Sequence, residues 1–374
     1  MITLAAAWAA GRRRGVLSFS ARGDPSGRNP VKRRPYNGQT LALGDRSRMT
    51  TRRETLLVLG AGAFAMRRSA LAQNQPKVWQ IGYLAADSAS TRLYDSFHDG
   101  MRELGYIEGK SCVIQARFAE ARYDRLPVLA QELVHLKVDV IVAGTTLAVQ
   151  AAKKATASIP IVMVAIPDPI GEGFAGSLSR PGGNITGLTT IVTEASAKHV
   201  ELLRAVIPHL SRIAVLINPS NPSDALILEQ VGGAAFSSGI KISSVEATTA
   251  AEIEAGFAAM ARGRAEAAVV TADSLFDMQR DRIAKLALNN RLPTIYSNRD
   301  FTIAGGLMSY GQDLADQYRH AAVYVDRILK GAKPGDLPIE QPLVLEFVIN
   351  RRTAKSLGLV LPTEMLLRAD RVIE

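Results

Sequence analysis

Apolar runs and amphipathic stretches alternate from Lys77 to the end of the chain. Residues 78–84 (VWQIGYL) predict a strand. Over residues 92–105 the apolar positions Tyr94, Phe97, Met101 and Leu104 keep the three-and-four spacing of one helix face, and Gly105 supplies the stop. Residues 112–118 predict a second strand. Asp124 is expected to cap a helix that buries Leu126, Leu129, Leu133 and Leu136. Residues 138–143 (VDVIVA) and 161–166 (IVMVAI) are largely apolar, the pattern of strands buried on both faces of a parallel sheet, with a short helix over 145–155 between them. This is repeated strand-helix-strand, hence a doubly wound α/β lobe over 77–188.

The pattern resumes after Gly187. Helices are expected near 194–207, 224–238, 250–261 and 277–290, and strands at 212–217, 240–245, 267–270 and 293–296, giving a second α/β lobe over 189–311. The helix at 313–330 and the strand-like 344–350 remain. They complete both sheets only if the chain crosses between lobes, with about 312–331 finishing the first lobe and about 340–374 the second. Arg180-Pro181-Gly182-Gly183-Asn184 predicts a turn, placed at the first crossing.

Composition changes this picture at one end only. The 374 residues carry 45 Lys/Arg against 35 Asp/Glu, but residues 1–72 alone hold 14 basic and 3 acidic side chains, so the rest is near neutral. A nucleic-acid footprint over the folded part is thereby excluded. The 47% hydrophobic content excludes disorder, and no uncharged apolar run reaches the ~18 residues of a spanning helix. Residues 49–72 have a charged start (MTTRRE), a twelve-residue apolar stretch (TLLVLGAGAFAM) and an Ala-Leu-Ala end, the three parts of an export signal. Thr51-Arg52-Arg53 resembles a twin-arginine signal, which leaves the twin-arginine and general secretory routes both open. Periplasmic localisation is expected. Residues 1–48 are expected to be a disordered extension or the product of a misplaced start, the latter favoured because an export signal works from the very N-terminus. Gly60-Ala61-Gly62-Ala63-Phe64-Ala65 matches a dinucleotide fingerprint, but no strand precedes it and residues 76–86 hold no acid, so it reads as signal core.

Open parallel sheets bind ligands at the carboxyl ends of their strands. Those ends carry short hydroxyl, amide and carboxylate groups: Asp87 and Ser88, Thr145 and Thr146, Asp168, Asn221, Asp273 and Ser274, Tyr296, and Tyr310. Each is individually explained by helix capping; their recurrence at most strand ends points to a cleft between lobes that hydrogen-bonds a small polar molecule. Tyr83, Tyr94, Phe174, Phe276, Tyr296 and Tyr310 can wall a pocket, Tyr94 being better explained as core. Catalytic signals are absent from the pattern. Cys112 is the single cysteine and sits inside a strand. His98, His135, His199, His209 and His320 lack metal-ligand spacing and read as surface or partly buried helix positions. No nucleophile elbow or phosphate loop occurs. No cofactor, metal or enzymatic activity is expected.

Several strings resemble one family throughout: IGYL at 81–84, ELGYIEGK at 103–110, RYDRLPVLAQELVHLKVDVIVAG at 122–144, IPIVMVAIPDPIGEGFAGSLSRPGGNITGL at 159–188, GGLMSYG at 305–311 and the terminal LLRADRVIE. The chain resembles the substrate-binding components of ABC importers, in the subgroup similar to tryptophan- and tyrosine-binding proteins. The resemblance implies a type I periplasmic binding protein fold, two Rossmann-like lobes joined by three crossover hinge segments and closing on a ligand. It implies an amino-acid-like ligand, no chemistry, a monomer, and delivery to a separate permease and ATPase. Carried to matching positions, the ligand-binding residues are Asp87, Ser88, Thr145, Thr146, Asp168, Asn221, Asp273, Ser274, Tyr296 and Tyr310; charge complementarity then suggests Asp168 and Asp273 for a ligand ammonium, with hydroxyls and helix-start amides for a carboxylate. Arg299 is the nearest candidate for a carboxylate clamp. A ligand-sensing receptor domain of the same fold and an exported α/β enzyme are the alternatives.

Overall fold

The structure, a computed structural model, describes residues 77–88, 92–341 and 344–374. The expected export signal at 49–72 and the extension at 1–48 lie outside the described residues. The described residues are organised around two sheets.

The first sheet holds β1 (Trp79–Ala85), β2 (Cys112–Phe118), β3 (Val140–Gly144), β4 (Ile161–Ile166) and β5 (Ile185–Thr189), in the order β2-β1-β3-β4-β5 and all parallel. Helices α1 (Arg92–Glu103), α2 (Leu126–His135) and α3 (Thr146–Ala155) are the crossovers. Ile81, Leu84, Val140, Ile141, Val142 and Met163 are fully buried because helices cover both faces. Each such side chain contributes about 1.5–3 kcal/mol by leaving water. The turn at 180–184 feeds β5 and does not mark the first crossing: Gly182 N–H donates to the Gly335 carbonyl, and the chain leaves the sheet only after Thr189. Gly187 is fixed by a close approach. Its φ is +135°, and a Cβ there would lie 2.1 Å from the Met163 carbonyl oxygen.

The second sheet holds β6 (Arg212–Ile217), β7 (Lys241–Glu246), β8 (Ala267–Val270), β9 (Thr294–Tyr296), β10 (Met308–Gly311), β11 (Glu346–Asn350) and β12 (Arg371–Ile373), ordered β12-β11-β10-β9-β8-β6-β7. Its helices are α4 (Val192–Val206), α5 (Pro222–Phe236), α6 (Ala250–Arg262), α7 (Ser274–Met278), α8 (Arg280–Asn289) and α9 (Arg299–Ile303). The helix expected over 277–290 is two, α7 and α8. After β10 the chain passes back to the first sheet, where α10 (Leu314–Leu329) packs on α1 and on β3, β4 and β5. It returns as β11. Because β11 arrives from the hinge end by which β10 leaves, the two run antiparallel. Short α11 (Arg351–Ser356) and α12 (Thr363–Arg368) lead to β12.

The chain thus passes between the sheets after β5, after β10 and between Glu340 and Glu346. Each passage is short. Among the described residues no helix is long and apolar enough to cross a membrane.

Candidate ligand-binding site

The carboxyl ends of the two sheets enclose a cavity of about 160 Å³. That volume is comparable with the ~150 Å³ apolar cavity that accepts a benzene molecule, so the space suits one aromatic ring with a small polar head. Apolar wall comes from Leu93, Val164, Ile191, Val192, Ile227, Leu314 and Leu345, with the rings of Tyr123 and Tyr318.

Backbone geometry shapes the first lobe's side. Thr145 holds φ +99° and Ala165 φ +58°, conformations that L-residues adopt only when the surroundings impose them. Thr145 caps α3, its hydroxyl accepting from the Ala148 N–H at 3.3 Å. Gly144 must be glycine. A Cβ would lie 1.6 Å from the Tyr318 hydroxyl, which rests on the bare backbone at the end of β3.

The second lobe's side is a hydrogen-bonded acidic network. Asp273 caps α7 through the Leu275 N–H (2.9 Å) and accepts from Asn218 Nδ2 and Asn221 Nδ2, each at 3.1 Å. Behind it Asp224 accepts from the Asn218 N–H at 2.7 Å and the Thr271 hydroxyl at 2.7 Å. Burial, then the charge of Asp273, pushes the Asp224 carboxyl up to about 8. Asp277, half-buried on the cavity wall, is pushed up to about 7 by burial and then by the negative charges of Asp273, Asp87 and Asp300. None of the described lining residues is Lys or Arg. His199 adds no charge either: burial lowers its imidazole to about 4, against the opposing effect of its bond to the Tyr310 carbonyl. The cavity therefore favours a cationic group.

Bonds run directly across the cleft. The Tyr123 hydroxyl donates to Asp273 at 2.6 Å, and the hydroxyls of Thr146 and Ser223 lie 2.8 Å apart. At the rim Arg92 pairs with Asp300 (3.3 Å) and with Asp313 (3.1 Å), the N-cap of α10. These rim pairs are well exposed, so each is worth about 0–1 kcal/mol. The two lobes are in direct contact across the cleft.

Of the residues singled out in the sequence, Asp87, Thr145, Thr146, Asn221, Asp273 and Ser274 line this cavity. Ser88, half-buried, does not. Asp168 does not line it either: it is exposed, and its carboxylate accepts from the Gly171 N–H at 2.7 Å, closing its own turn. Nor does Tyr296. Its ring is fully buried, stacked on Phe301 at 4.6 Å, and its hydroxyl accepts a hydrogen bond from the Thr294 hydroxyl, because its strand is central and its side chain faces the core. Tyr310 points away from the cavity into a second groove, beside Phe347 and Met365. Arg299 is committed to Asp313 (2.8 Å) and Glu346 (2.9 Å) and does not line the cavity. Tyr83, Tyr94, Phe174 and Phe276 also stand outside it, in the cores. Sequence reasoning missed Tyr123, Asp277, Tyr318 and His199. The expectation of a surface or partly buried His199 fails, since it is 2% exposed. Its α4 face of Val192, Ala195, Ser196 and His199 was the available signal: two small residues leave room beside a histidine.

Residues 81–373 match the family model described as ABC transporter substrate binding protein. The chain belongs to this family. It is 27% identical to the tyrosine-binding protein of Clostridioides difficile over 279 residues, covering 75% of this chain and 80% of that protein. The ABC domain from Streptococcus pneumoniae in complex with L-Trp superposes with a TM-score of 0.74 at 27% identity, covering 79% of this chain and 100% of that one. A conserved domain protein from Vibrio cholerae superposes at 0.75 with 26% identity and the same coverage. The two-lobed α/β fold is that of type I periplasmic binding proteins, and substrate-binding proteins of this family are not enzymes.

Proposed function

We propose that this substrate-binding protein is exported, captures one aromatic amino acid between its lobes and delivers it as a monomer to the permease and ATPase of an importer. The carrying observation is the cavity between the lobes: one ring in size, largely apolar, with three carboxylate residues (Asp87, Asp273 and Asp277) and no described Lys or Arg on its wall. An amino acid needs an apolar body buried, its ammonium paired and its carboxylate bound. Asp273, Asp87 and Asp277 take the ammonium, replacing the Asp168 expected from sequence. With no described cation on the wall, the carboxylate falls to backbone N–H groups at the start of α3, beside the strained Thr145 turn, where the helix dipole favours negative charge. The likeness to a tyrosine-binding protein and to a domain in complex with L-Trp supports an aromatic body.

Closure follows by population shift. A ligand touching both Thr145 and Asp273 binds the closed form better than the open one, so it holds the lobes together for docking. Thermal denaturation of the full chain against the twenty amino acids tests this. Aromatic amino acids are expected to raise the Tm by mass action, by about 2.7 kcal/mol of stability at a hundredfold excess over Kd. A panel without any shift would count against the proposal. Export is tested by sequencing the mature N-terminus from native cells, expected at Gln73.

A further inference from the structure

Three buried polar atoms at the hinge end of the cavity have no hydrogen-bond partner among the described residues: Nδ1 of His199, Oγ1 of Thr190 and Nε2 of Gln312. All three residues line the cavity. Thr190 lies on the first passage between sheets and Gln312 on the second, while His199, on α4, bonds the Tyr310 carbonyl in β10, just before the second. Leaving a buried polar group unpaired is costly, so three at one end point to an occupant that hydrogen-bonds there.

The chemistry of the histidine is set by its neighbour. A backbone carbonyl only accepts, and the Tyr310 oxygen lies 2.7 Å from His199 Nε2, so Nε2 carries the proton and Nδ1 keeps a bare lone pair. The ring projects from the same helix face as Val192, Ala195 and Ser196, which also line the cavity. Asp273 follows β8, whereas Tyr310 belongs to β10, two strands away, or about 10 Å at ordinary strand spacing. That separation is on the order of the length of an aromatic amino acid, so one held by its ammonium at Asp273 can reach His199 with the end of its side chain.

We propose that His199 is a specificity-determining residue whose Nδ1 accepts a hydrogen bond from an N–H or O–H at the far end of the ligand's apolar body. The site then selects aromatic amino acids that carry such a donor, an indole or a phenol, over a plain phenyl. This rests on the cavity being an aromatic amino-acid site.

The test is calorimetric titration of the full chain with two matched pairs. L-Tyrosine is compared with L-phenylalanine, and L-tryptophan with 3-benzothienyl-L-alanine, in which sulfur replaces the indole N–H. In the better-binding pair the donor-bearing member is expected to bind at least about tenfold tighter, because its loss leaves a buried acceptor unpaired. His199→Gln, whose amide nitrogen can replace Nε2 at Tyr310 but puts no acceptor at Nδ1, should reduce that ratio to about twofold. His199→Asn, which retains an acceptor at the Nδ1 position, should keep it. Equal binding of both members of each pair by the wild-type protein would overturn the proposal and leave the transport function standing. Failure of all four compounds to bind would overturn both. Equal wild-type binding overturns the proposal even if a variant at this buried position does not fold.

Discussion

On the first lobe's side of the cavity, Thr145 and Ala165 hold positive φ and Gly144 lies bare beneath Tyr318. On the second lobe's side no described lining residue other than glycine holds a positive φ. The work there is done by Asn221, Asp273 and Asp277, backed by Asn218, Asp224 and Thr271. One wall is chiefly a shape imposed on backbone, with Asp87 its described carboxylate; the other is a charge distribution held by hydrogen bonds. Changes in the first should alter stability and fit, and changes in the second should alter whatever depends on charge and pH. Tyr123 joins the two, since it sits on the first lobe and donates to Asp273 of the second.

The largest effect that separates the walls is pH. Asp224 in the folded chain is pushed up to about 8 and Asp277 up to about 7, each from an ordinary value of 3.8. Between about pH 4 and those values the folded state holds protons that the unfolded state has released, so stability falls as pH rises through the window and levels off above it. Each group contributes a slope of up to about 1.4 kcal/mol per pH unit. Thermal melts of the full chain from pH 5 to 8 should show a falling Tm, and Asp224→Asn should flatten the curve. A Tm that rises over that range would remove the distinction. Next comes Gly144→Ala, which drives a methyl group into the Tyr318 hydroxyl. Urea unfolding should register a loss of about 2 kcal/mol with no change in pH dependence. Smallest is Tyr123→Phe, which removes the bond across the cleft. It should leave Asp273 capping α7, open the unliganded protein as seen by a larger radius of gyration, and weaken ligand affinity by about tenfold.

The same contrast explains what could be read from the sequence. Strands such as 161–166, 212–217 and 267–270 are largely apolar runs of strand length between helical periods, and the structure has β4, β6 and β8 at those positions. Asn221 and Asp273 were legible because they cap helices, a local role written in residue type. The strain at Thr145 and Ala165 was not, since nothing in a threonine or alanine announces a positive φ. Asp124 misled in the same local way: it lies in a 3-10 turn, and α2 begins without any side-chain cap. Tyr296 and Tyr310 failed for a different reason. Period-two alternation tells which residues share a face, but which face meets the cleft is decided by the neighbouring strands and helices, and both rings turned elsewhere. His199 needed the converse knowledge, that Tyr310 from a strand more than a hundred positions later would supply its partner.

The central claim is that Asp87 of the first lobe and Asp273 and Asp277 of the second hold the ammonium of an aromatic amino acid in the cavity between the lobes. Calorimetric titration of the full chain with L-tryptophan and L-tyrosine, beside the same two molecules lacking the amino group, tests it most directly. The amino acids should saturate one site per chain, and removal of the ammonium should weaken binding by about a hundredfold, the effect of losing a charge-assisted bond at a buried carboxylate. Deaminated compounds that bind as tightly as the amino acids would contradict the account.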